Sequence, residues 1–84
     1  MKTTYIVQPF VLQKIKGQNV LKPETPMQFN HEDDALRRAE RMAEKFDGVV
    51  AVSQEYDEDS GEMGKTVLLR QIGQVPEDIA DSFS

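Results

Sequence analysis

The stretch that most constrains this chain runs from Gly48 to Val52, where a single helical segment leads straight into a strand with no polar side. Side chains alternate between the two faces of a strand, so Val49 and Ala51 serve one face and Val50 and Val52 the other. A second apolar run, Val67-Leu68-Leu69, repeats the feature and is its expected partner. One helix can cover one face only. The other face needs a cover from the N-terminal arm, from the C-terminal tail, or from a second chain.

Eighty-four residues make one small domain, spanning 1–84. A domain of this size buries only about 60–65% of the surface its unfolded chain exposes. There is no cysteine, so neither disulfides nor a thiolate metal site can add to a thin core. The net charge of −5 disfavours nucleic acid and anionic membrane surfaces as partners. Arg37, Arg38, Arg41 and Lys45 nevertheless form a local basic cluster. The N-terminus has one lysine, no long apolar run and no cleavage-like site, so no signal peptide is expected, and no stretch reaches membrane-spanning length. A cytoplasmic protein is expected.

Thr4 to Leu12 reads as a strand, and Pro9 within it implies an edge position or a bulge. Lys16 to Asn19 is a turn signal, Val20-Leu21 a short return strand, and Lys22 to Pro26 an extended irregular link. The helix is expected from Asn30, as N-cap, to Gly48, as a left-handed C′ residue. Glu32, Asp33 and Asp34 suit its first turn, and Asp33–Arg37 and Asp34–Arg38 are favourable i,i+4 pairs. Ala35, Leu36, Ala39, Met42, Ala43 and Phe46 form its apolar stripe.

Val49–Tyr56 and Lys65–Ile72 then form a hairpin in one of two registers. A four-residue loop, Glu58 to Gly61, aligns Val50 with Leu69 and Val52 with Val67. A three-residue loop, Asp59 to Gly61, aligns Val52 with Leu68 and Glu55 with Lys65. The first gathers the apolar residues better and is preferred. It places the helix over Val50, Val52, Val67 and Leu69, and leaves Val49, Ala51, Leu68 and Ile72 on the other face. Val75 to Ile79 suggests a short helical turn with Pro76 at its first position, Ile79 and Phe83 could dock together, and residues 80–84 are expected to fray.

Motifs that carry chemistry are weak. His31 adjoins Glu32, Asp33 and Asp34, but no second histidine or cysteine completes a ligand set. Asp57 to Glu62 invites a calcium reading, yet the fifth, sixth and twelfth loop positions are Gly61, Glu62 and Leu68, which break the EF-hand pattern. Gly64-Lys65-Thr66 lacks the earlier glycine of a P-loop and is followed by a β-rich run. Glu40 and Glu44 interrupt the basic stripe, so a solvated helix face is the simpler reading. No catalytic, cofactor-binding or metal-binding residue is assigned.

Gly48 to Ser53, the acidic turn with Ser60-Gly61-Glu62, Val67 to Gly73 and the Val75-Pro76-Glu77-Asp78 tail resemble small uncharacterised (hypothetical) proteins, chiefly proteobacterial. The resemblance spans about the last two-thirds of the chain. It implies a small bacterial α+β domain and transfers no active site.

The expected fold is α+β, with one helix packed on an antiparallel sheet of three or four strands in the order β, a short β, α, β, β, then the C-terminal turn. The expected function is a non-enzymatic interaction module that meets a protein partner, a second copy being the simplest, through a sheet face or edge. Val49, Ala51, Leu68 and Ile72, with Arg37, Arg38 and Arg41, are the candidate surface. The runner-up is a small enzyme or ligand-binding protein using His31, Tyr56 or the acidic loop. A nucleic-acid accessory protein using the basic stripe stands third.

Overall fold

The computed structural model describes residues 1–77. Its elements are β1 (Lys2–Ile15), β2 (Gln18–Pro23), β3 (Met27–Phe29), α1 (Glu32–Met42), β4 (Gly48–Tyr56) and β5 (Met63–Gly73). The fold is α+β: one helix on an antiparallel sheet of five strands, ordered β2-β1-β4-β5, with β3 also pairing β1. The sheet therefore has one strand more than the expected three or four. The suggested helical turn at Val75–Ile79, the Ile79–Phe83 contact and the frayed 80–84 lie wholly or partly outside the described residues.

Three expectations are corrected. First, β1 is central rather than an edge strand, and it continues through the buried Pro9. The carbonyl of Pro9 accepts from Glu24 N–H on the β2–β3 side. A residue's N–H and C=O point to the same neighbour, so the donor that proline lacks would face the break between β2 and β3. No ladder bond is lost there. Gln8 fills the break, its Nε2 donating to the carbonyls of Pro9 and Glu24.

Second, the helix covers the opposite face of β4 from the one expected. Ala35 and Ala39 are sealed against Val7, Val49 and Ala51, with Tyr5, Phe29, Leu36, Met42, Ala43, Phe46 and Leu69 packed around them. Val49 and Ala51 thus form the floor of the main core and are not a free surface. Ile72 pairs with Val49 on this side, whereas Leu68 pairs with Val52 on the other. The preferred register holds only beside the turn, where Tyr56 pairs with Met63 and Asp57 N–H donates to the Glu62 carbonyl. Irregularities between Gln54 and Tyr56 and between Ala51 and Val52 then shift the ladder first to the alternative Val52–Leu68 pairing and then to Ala51–Arg70, which neither register expected. Leu69 is the extra residue between these pairs; it joins the helix-side core while Leu68 lies opposite, and the bulge brings Arg70 to the same side, beside Ala51. Phe10 and Val50 are buried on the second face, with Leu21, Leu68 and Val75 packed against them. The return strand and the segment after β5 therefore each contribute cover.

Third, α1 is shorter than expected. His31, in extended conformation, is its N-cap, and it ends at Met42 with Ala43 still right-handed. Gly48 is not a helix terminator. It opens β4 where a Cβ would overlap the Gln74 carbonyl. Its ladder partner Gly73 has φ +72, and a Cβ there would overlap the Asp47 carbonyl. The two chain segments cross closely because neither glycine carries a side chain.

Candidate functional site

The expected surface residues are dispersed. Val49 and Ala51 are buried, Ile72 is partly buried beside Val49, and Leu68 faces the other way. Arg37, Arg38 and Arg41 are exposed on α1 and, with Phe29, Asp34, Glu40 and Glu44, line an open depression of about 570 Å³. Its charge is partly cancelled. Arg37 pairs with Asp34 at 3.5 Å, in i,i+3 spacing rather than the expected i,i+4. Glu40 pairs with Arg70, which lies beside Ala51 on the helix side of β5, tying the helix to the edge strand.

The runner-up residues are not brought together. His31 is exposed and its side chain makes no capping bond. Tyr56 ends β4, paired with Lys2 and Met63. Among the described residues no hydrogen bond or ion pair joins His31, Tyr56 and the acidic loop, and no group of three His, Asp or Glu side chains is placed to hold a metal.

The acidic loop uses part of its charge to shape itself. Asp57 Oδ1 accepts from the backbone N–H groups of Asp59 at 2.9 Å and Ser60 at 3.4 Å, as an Asx turn does. Ser60 Oγ accepts from Glu62 N–H at 3.2 Å. Glu58 lies 2.8 Å from Lys2 Nζ; that hydrogen bond, and then the charge attraction, raises the Lys2 pKa above its ordinary value. Asp59 and Glu62 remain exposed to solvent.

A feature missed in the sequence lies at the two ends of the sheet. The β1–β4 ladder stops at Phe10–Gly48, where Asp47 N–H donates to the Phe10 carbonyl and Leu12 N–H donates to Asp47 Oδ2 at 2.6 Å. Beyond it, Val11–Ile15 pairs only with Gln18–Lys22 as a two-stranded ribbon. Its turn has Lys16 at φ 51 and Gly17 at φ 81, the two positive values that a tight two-residue hairpin needs. The ribbon carries Lys14, Lys16 and Lys22 and no acidic residue.

Among the described residues, five large apolar side chains are exposed. Ile15 (49%) and Val20 (41%) lie on the ribbon; Met1 (77%), Met63 (72%) and Val67 (37%) lie toward the acidic hairpin. The lysine run without acids was the signal available in the sequence. The exposed apolar residues were not visible there, because Val20 reads as an ordinary strand residue and Ile15 falls beyond the expected strand end at Leu12.

No helix among the described residues is long and apolar enough to cross a membrane. No protein-family model matches the chain, and comparison with curated proteins and with solved structures finds no match.

Proposed function

We propose that the chain is a cytoplasmic, non-enzymatic protein-interaction module whose contact surfaces are the two ends of its sheet. The observation that carries this reading is the placement of the exposed apolar side chains. They gather where the sheet thins to two strands and where charge of one sign accumulates, rather than scattering over the surface. An isolated two-stranded ribbon has little stability of its own, so a partner that packs on Ile15 and Val20 stabilises both itself and the ribbon. The original candidates Val49 and Ala51 give way to Ile15, Val20, Met63 and Val67. Arg37, Arg38 and Arg41 border the body between the ends and play a secondary part.

The test is a photo-cross-linking residue placed at Ile15 or Val20 in cells that encode the protein, with Gln28 on the exposed β3 edge as control. Protein adducts at 15 and 20 but not at 28 are expected. Adducts absent from both ribbon positions would end this reading.

A further inference from the structure

We infer that the partner at the ribbon is a second copy of this chain, in a two-fold antiparallel dimer in which each basic ribbon meets the other copy's acidic hairpin. The inference rests on the interaction reading above and adds the identity of the partner.

The two ends are complementary in charge and alike in apolar content. Within Asp57–Glu62 there are four acids and no base, whereas the ribbon between Phe10 and Pro23 has three lysines and no acid. Lys2 and Lys65 flank the acidic end, and Lys2 is engaged by Glu58, so Asp59 and Glu62 are the charges free to meet a partner. Each end also sets exposed apolar side chains beside its charge: Ile15 and Val20 at one, Met1, Met63 and Val67 at the other.

The strand register places the main contacts on one side of the sheet. Val20 pairs with Gln13, two residues from Ile15, and Val67 pairs with Ser53, which pairs with Tyr5. Odd-numbered residues of β1 face α1, so Ile15, Val20 and Val67 all lie on the helix side. The chain measures 47 × 23 × 17 Å, so the complementary ends are well separated and cannot satisfy each other within one copy. An antiparallel two-fold arrangement satisfies both at once and closes, whereas a head-to-tail arrangement would leave an open end at each terminus of the chain of copies. Opposed charge fixes the register and the apolar residues supply desolvated area.

The experiment is sedimentation equilibrium of the full chain and of two charge-reversed variants, Lys16→Glu/Lys22→Glu and Asp59→Lys/Glu62→Lys, with circular dichroism confirming that each folds. None of these four side chains takes part in the core or shapes the acidic turn. The unmodified chain should sediment at twice 9.5 kDa at low salt and shift toward monomer as salt screens the ends. Each variant alone should be monomeric, because both of its contacts become repulsive. Mixed in equal amounts, the two variants should restore the doubled mass, because both contacts of the heterodimer are again attractive. A monomeric unmodified chain, a dimer indifferent to either reversal, or a mixture that stays monomeric would each overturn the inference. Cross-links from Ile15 to other proteins, with a monomeric chain, would remove the second copy and leave the interaction module standing. Absence of both would remove the two together.

Discussion

Val49 and Val20 are both valines on β-strands, and both face the helix side of the sheet, yet one is sealed and the other lies open to water. Val49 sits where β1, β4 and β5 run side by side under Ala35 and Ala39. Val20 sits where β1 has only β2 beside it and α1 no longer reaches. The same residue type thus contributes to stability in the middle and offers contact area at the end. What separates them is the number of neighbouring strands and the reach of one short helix, not residue chemistry.

The contrast can be broken most severely at the chain crossing beside Val49. Gly48→Val should cost about 4 kcal/mol or more, because the new side chain must displace the Gln74 backbone. Loss of a cooperative urea transition would show it. Val7→Ala should cost about 2–3 kcal/mol by leaving a cavity under α1, read as a lower urea midpoint at unchanged slope.

Gln8→Leu, which removes the donor bridging Pro9 and Glu24, should cost about 1–2 kcal/mol. Ile15→Ser should change monomer stability by less than about 0.5 kcal/mol while reducing contact at the ribbon. A loss comparable to Val7→Ala would show that the ribbon belongs to the core, and the contrast would fail.

The smallest effect concerns pH. The Lys2 pKa is raised in the folded state, so the stability it adds is full below the ordinary lysine value and is lost as pH rises through the folded one. Strongly alkaline titration should therefore loosen the Met1–Lys2 end, seen as a chemical-shift change at Glu58, and should leave the middle unchanged.

Much of the fold was legible because local signals agreed. The helical stripe from Ala35 to Ala39, the acidic first turn and the β4–β5 hairpin all have periodicity or turn chemistry of their own. The face of β4 that meets the helix was not legible. A strand apolar on both sides gives alternation nothing to choose with, and the extra residue at Leu69 shifts the pairing of everything beyond it by one without a mark in the sequence. Pro9 misled for a related reason. A proline rules out a central strand only when its missing donor has a partner to lose, and here the β2–β3 break stands opposite. Gly48 was rightly singled out but for the wrong cause, since its constraint comes from Gln74, distant in sequence. The surface at the ends was only half readable. The lysines of the ribbon are plain in the sequence, whereas the exposure of Ile15 and Val20 depends on where β4 begins.

The central position of β1 also orders events in time. Its far half closes on β2 through a two-residue turn, a contact that can form in microseconds as soon as those residues exist. Its near half gains β3 on one side once Met27–Phe29 exists but must wait for β4 on the other, since Lys2 pairs with Tyr56 and Phe10 with Gly48, and this long loop closure slows the step that assembles the core. During synthesis the ribbon would exist before there is a sheet for it to extend from, with Val7 and Phe10 still uncovered. A growing chain is therefore most exposed to misassociation in the interval between β2 and β4, and the last strand to arrive, β5, only finishes a body whose slowest decision has already been made.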